Sequence, residues 1–184
     1  MRLLTMLIGI PALVIGAPFA GAAEPVHPYA GQQARSIKAL PNEDIAALRA
    51  GDGMGMAKAA ELNGYPGPRH VLDLSPELHL TDAQTKLVRG IRERMSAAAK
   101  PLGAALIERE RVLDELFVKG AITAERLTVE TAAIANIQGR LRAVHLAAHL
   151  KTRAVLNTEQ LGRIRSASWL CRAAGHQHSS GQQH

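Results

Sequence analysis

Two short segments constrain this chain more than any other feature: Leu80-Thr81-Asp82-Ala83-Gln84 and Leu156-Asn157-Thr158-Glu159-Gln160. Each places a small polar residue three positions before a Gln. The Thr81 or Asn157 side chain can accept the backbone N–H of that Gln, and the Gln side chain can reach back to the N–H of the cap residue. Leu156 and Leu161 have the spacing of a hydrophobic staple. Both segments therefore read as helix starts, with a long helical hairpin between them.

Composition favours helices as well. Aromatic residues make up 3 % of the chain, so the core must be built from Leu, Ile, Val, Ala and Met. That suits helix-on-helix packing better than a sheet. Residues 1–22 read as a cleavable signal peptide. Arg2 supplies its positive start, Leu3 to Phe19 its apolar run, and Ala20-Gly21-Ala22 its cleavage pattern. The chain is expected to be exported, to begin at Ala23 after cleavage, and to have no stable membrane insertion. Removing Arg2 takes Lys+Arg from 22 to 21 against 16 Asp+Glu, a net charge of +5. The cations are spread along helices, which argues for a solvated or client-facing surface and against nucleic acid. A single cysteine, Cys171, excludes an internal disulfide.

Along the exported chain three zones follow. Residues 23–78 form an irregular arm. It holds a short helix from Asn42 to Ala50, capped by Asn42 and ended by Gly51, and a second from Met56 to Leu62. Tyr65-Pro66-Gly67-Pro68 then makes a rigid turn into the apolar stretch His70–Leu74. Residues 79–170 form the helical body. Its first helix is expected to bury positions 80, 83, 87, 91, 95, 98, 102, 106, 113 and 117, and to kink or break near Ala99–Lys100 because of Pro101. Lys119-Gly120 ends it and Thr123 caps the next, whose stripe runs Leu127, Ile134, Ile137, Leu141, Val144, Ala148 and Val155. Asn157 caps the last, through Leu161, Ile164 and as far as Leu170. Residues 171–184 are a polar tail, expected to be disordered, with His176, His178 and His184.

A signal peptide, an irregular arm, the motif Leu80-Thr81-x-x-Gln84, a Pro-bearing helix, a long helix, the variant motif Leu156-Asn157-x-x-Gln160 and a polar tail together resemble the Spy/CpxP family of periplasmic proteins. That family includes ATP-independent chaperones and related heavy-metal sensors and resistance proteins. The second motif departs from the pattern by carrying Asn157 in place of Thr, an equally good cap. The resemblance implies an all-α protomer of about four helices, an elongated hairpin with a kinked first helix, pairing antiparallel into a cradle-shaped homodimer.

Candidate binding residues are few. His145 and His149 stand one turn apart on one helix face, a spacing that suits a shared metal ion. The structural alternative places His145 beside the buried stripe with a hydrogen bond and His149 at the surface. Partners for a metal are available in His70, His79, Met54 and Met56, or in the tail through Cys171, His176 and His178; equally, the tail is a plain polar end and the methionines fill core gaps. Arg89, Arg92, Arg140 and Arg142 are candidates for a basic client-facing surface, or an ordinary solvated one.

No nucleophile elbow, phosphate-binding loop or paired carboxylates occur, so the chain reads as a non-enzyme that requires no cofactor. The sequence favours a chaperone-like envelope stress protein of the Spy/CpxP type, acting on unfolded periplasmic proteins or docking on the exported domain of a membrane sensor. The alternative is a periplasmic metal-binding sensor or resistance protein for Cu, Zn, Ni or Co.

Overall fold

A computed structural model describes residues 28–166. The expected signal peptide, Cys171, the tail histidines His176, His178 and His184, and any extension of the last helix to Leu170 lie outside the described residues. The chain divides at Gly31 into two units, and the helices among the described residues all lie in the second.

Six α-helices follow one another among the described residues: α1 (Asn42–Ala50), α2 (Lys58–Glu61), α3 (Pro68–Asp73), α4 (Asp82–Val118), α5 (Ala124–Val155) and α6 (Thr158–Ser166). A 3-10 turn at Gln32–Ala34 precedes them, and the only β pairing among the described residues is an isolated bridge between Ile37 and Leu40. The protein is all-α. None of these helices is long and apolar enough to cross a membrane.

Local chemistry accounts for most of the boundaries. Thr81 and Gln84 form the reciprocal capping box at the start of α4. Thr123 Oγ1 accepts the Arg126 N–H at the start of α5. Asn157 Oδ1 accepts the Gln160 N–H while Gln160 Oε1 accepts the Asn157 N–H at the start of α6. Gly120, at φ 61, closes α4: its N–H goes to Phe117 O and that of Ala121 to Leu116 O, the paired bonds of a left-handed C-terminal cap. Gly51, at φ 76, ends α1 in the same way. Asn42 is not the cap of α1. Pro41 occupies that position without a side-chain bond, its carbonyl accepting the Ile45 N–H, and Asn42 is the first helical residue.

α4 runs unbroken for 37 residues through Pro101. Of the kink or break expected near Ala99–Lys100, a break does not occur. Proline removes one ladder bond, the one to the carbonyl of Ala97, and Ala97 is exposed, so water can satisfy that carbonyl. Packing on either side, through buried Ala99, Gly103 and Leu106, holds the helix in place.

The buried face of α4 also differs from the expected stripe. Val88, Ile91, Ala99, Gly103 and Leu106 are buried, whereas Ala83, Leu87, Ala98 and Phe117 are exposed. On α5 the stripe holds at Ile134, Leu141 and Ala148, but Leu127 is exposed, and His145, His149 and Thr152 join the buried face.

Two hydrophobic clusters result. One gathers Val71, Leu78, Val88, Leu156 and Ile164, with Leu80 and Leu161 packed on it, at the end where α4 and α6 begin. The other gathers Leu48, Ala99, Leu106, Ile134 and Leu141 along the hairpin. The two helix-start motifs meet at the first cluster. Gln84 Nε2 donates to Gln160 Oε1 at 2.9 Å and Gln160 Nε2 to Gln84 Oε1 at 3.0 Å. Each amide has a further donation to a backbone carbonyl, Gln84 to Val155 and Gln160 to Leu78. The oxygens also receive the N–H groups of Thr81 and Asn157, so both amides are fully paired.

Candidate functional site: an imidazole cleft between the arm and the hairpin

The arm is fastened to α5 by a short run of polar contacts. Arg153 Nη1 donates to Gly64 O at 2.6 Å, and its guanidinium lies 4.5 Å from the centre of the Tyr65 ring. His149 Nδ1 lies 2.8 Å from Tyr65 O. The His149 ring presses against Gly67, where a Cβ would stand 2.9 Å from Cε1. The Tyr65-Pro66-Gly67-Pro68 turn is thus shaped to receive an imidazole, and Gly67 is the residue that lets it in.

Beside this contact opens a cleft of about 400 Å³, walled by Asp52, Met54, Glu61 and His70 of the arm, Met95 of α4, and His145 and His149 of α5, with the cationic Lys58, Arg69 and Arg92 also along it. His145 and His149 are 2 % and 5 % exposed. Both i, i+4 imidazoles therefore face inward, and the alternative that placed His149 at the surface is corrected. The hydrogen bond expected of His145 is found on His149 instead. His145 Nε2 is buried with no hydrogen-bond partner among the described residues. A buried polar atom without a partner costs about 1–3 kcal/mol, and His145, which carries this one, also lines the cleft.

Electrostatics separate the histidines. Glu61 Oε1 stands 3.4 Å from His70 Nδ1 and 3.8 Å from His149 Nε2. The hydrogen bond with Glu61 raises the His70 pKa above its ordinary value, and the same bond holds the Glu61 carboxyl below its own. Burial pushes the His145 pKa the other way, below its ordinary value. A neutral imidazole is the form that binds metals.

The remaining sequence candidates fall elsewhere. Met54, at φ 44, lines the cleft, but Met56 packs into the second hydrophobic cluster. His79 is exposed in the turn before α4 and is not part of the cleft wall. Arg89 and Arg92 are exposed along a groove of about 820 Å³ with Leu72, Thr85, Ser96 and Lys100. Arg140 and Arg142 are exposed on α5, two positions apart and hence on different faces. Sequence reasoning missed Glu61, Asp52 and Met95. Glu61 sits in a four-residue helix with no periodic signal, and Met95 fitted an ordinary core stripe.

Among the described residues, no group of three or more His, Cys, Asp or Glu side chains is arranged to hold a metal ion. Glu61 instead spans His70 and His149. The donor set nevertheless suits a metal in one respect. If His149 donates its Nδ1 proton to Tyr65 O, its Nε2 lone pair is left facing the cleft, and a backbone carbonyl behind the ring is the usual support of a ligating histidine.

Fold and cleft together define an all-helical protein with a glycine-walled site of imidazoles and thioethers. No protein-family model, curated protein or solved structure matches the chain.

Proposed function

We propose that this is a non-enzymatic metal-binding protein of the periplasm, of the sensor or resistance kind, built on a Spy/CpxP-like hairpin. The observation that carries the reading is His145, a cleft-lining residue whose Nε2 is buried without a partner, with His149 one turn away on the same wall. His145 and His149 would hold the ion through their Nε2 atoms, with His70, Glu61 and the methionines as the nearby donors. The bound ion would join α5 to the arm, since the donors come from both. Calorimetric titration of the purified chain with Cu, Zn, Ni and Co tests this, beside a His145→Ala/His149→Ala variant. Stoichiometric binding by the native chain and its loss in the variant are expected. Equal binding by both would remove the pair from the site. His145→Gln, which spares the His149–Tyr65 contact, guards against a variant that simply unfolds the arm.

A second reading, an ATP-independent chaperone, draws on a different part of the molecule. Phe117, Val118, Leu127 and Val129 are 56 %, 68 %, 40 % and 62 % exposed near the α4–α5 connection. Large apolar side chains left open in this way can hold unfolded clients or a second copy of the chain, and exposed Arg89, Arg92, Arg140 and Arg142 would speed encounter. Unfolded exported proteins, or the exported domain of a membrane sensor, would be the partners, and a homodimer the working form. The test is suppression of client aggregation without nucleotide. No suppression at several-fold excess over the client would end this reading.

A further inference from the structure

The donors around the cleft are divided between two chemistries. The oxygen donor nearest the imidazoles, Glu61, is engaged by His70. No three His, Cys, Asp or Glu side chains converge among the described residues, which is a poor start for Zn, Ni or Co, ions that need several nitrogen and oxygen donors. The same wall carries two thioethers, Met54 and Met95. Met54 is not a core plug: it is 40 % exposed and sits at φ 44 between Gly53 and Gly55. Its neighbour Met56 fills that packing role instead. Gly53, next to Met54, faces the His145 ring: a Cβ there would lie in ordinary contact, 3.6 Å from Nδ1.

We propose that the cleft is a Cu(I) site, with the imidazoles of His145 and His149 and the thioethers of Met54 and Met95 as ligands. This rests on the metal-binding reading and names its ion. Cu(I) is soft, prefers thioether and neutral imidazole, and is content with few ligands. It therefore fits a wall that offers two imidazoles and two sulfurs.

The experiment uses the chain recovered from the periplasm of an expression host, with Cys171→Ser in every sample so that the thiol contributes nothing. Cu(I), kept reduced with ascorbate under nitrogen, is competed against a bathocuproine chelator and followed by absorbance. Zn, Ni and Co are titrated in parallel. The Cys171→Ser chain is expected to bind one Cu(I). Met54→Leu/Met95→Leu is expected to bind it at least about tenfold more weakly, a difference of ~1.4 kcal/mol, with any Zn binding unchanged. His145→Gln is expected to lose it, and X-ray absorption of the Cu(I) complex to show sulfur scatterers that vanish in the methionine variant. Both methionine substitutions conserve volume, so circular dichroism should report unchanged helix content. Equal Cu(I) affinity in the methionine variant overturns the inference. Binding of Zn, Ni or Co without Cu(I) overturns it too but leaves the metal-binding reading standing. If no metal binds, both fall.

Discussion

Replacing Gly103 by alanine places one methyl group where α1 crosses α4, and the structure sets the size of the effect. A Cβ at Gly103 would stand 2.2 Å from the carbonyl oxygen of Leu48 and 2.8 Å from its carbonyl carbon. Both are backbone atoms, so no rotamer change relieves them. An ordinary carbon–oxygen approach is about 3.3 Å, so α1 must retreat by about 1 Å. Leu48 is 2 % exposed and Ile45 8 %, and both lose contact as α1 moves. Overpacking of this kind costs about 1–3 kcal/mol, and full release of a buried Leu or Ile about 1.5–3 kcal/mol. Against this, Gly→Ala inside a helix gains roughly 1 kcal/mol of propensity. The expected net is a loss of about 1–3 kcal/mol. Gly139, on α5 with no neighbour within 4 Å of its added Cβ, supplies the control. There the same substitution should gain about 0.5–1 kcal/mol. Urea unfolding followed by far-UV circular dichroism compares the two, with melting shifts of about 2–4 °C per kcal/mol for a chain of this size. If Gly103→Ala stabilises the protein as Gly139→Ala does, the close crossing of α1 over α4 is wrong.

Three other perturbations reach different parts of the molecule. Gln160→Ala removes a 5 % exposed amide and strands its partners on Leu78 and Gln84, at an expected cost of about 2–4 kcal/mol. In a double-mutant cycle, Gln84→Ala/Gln160→Ala should cost at least about 1 kcal/mol less than the sum of the single variants, and strict additivity would show that the two amides do not pair. Gly67→Ala drives a methyl group into the His149 ring and should destabilise by about 1–3 kcal/mol. Combined with His149→Ala its cost should largely disappear, and a full cost in both backgrounds would contradict the contact. Glu110 is half-buried on α4, and burial raises its pKa above the ordinary 4.5. A raised carboxyl pKa gives stability that is complete below 4.5 and lost as pH rises through the folded value. Glu110→Gln should therefore be more stable than the native chain at pH 7 and lose that advantage in acid, measured by urea unfolding across pH; a native-like pH profile in the variant would argue against it.

The candidate site was only partly legible. His145 and His149 stood out by their spacing, and Met54 and His70 were available as partners. That both imidazoles are buried, that one is anchored on Tyr65 O while the other is orphaned, and that Glu61 and Met95 share the wall follow from how the arm folds back on α5. Those contacts join residues about 50 to 90 positions apart, with no spacing rule to announce them. The buried face of α4 shows the same limit. Its apolar residues allowed two adjacent phases, and α1, α3 and α5, covering different stretches, selected the one through Val88, Ala99 and Gly103.

What the amino-acid sequence determined by itself was the starts of α4, α5 and α6 and the ends of α1 and α4. Thr81, Thr123 and Asn157 start helices and Gly51 and Gly120 stop them, because a cap is a bond across three or four neighbouring residues and needs no distant partner. From these ends came the all-α class and the long hairpin. Tertiary structure decided the rest. It carried α4 through Pro101, because flanking contacts held the helix and solvent could take the freed carbonyl. It turned two separate capping glutamines into one saturated amide pair, and it folded a glycine-rich arm over two histidines to make a cleft. Each of these depends on groups far apart in the chain meeting within hydrogen-bond or van der Waals distance, which only the packed fold brings about.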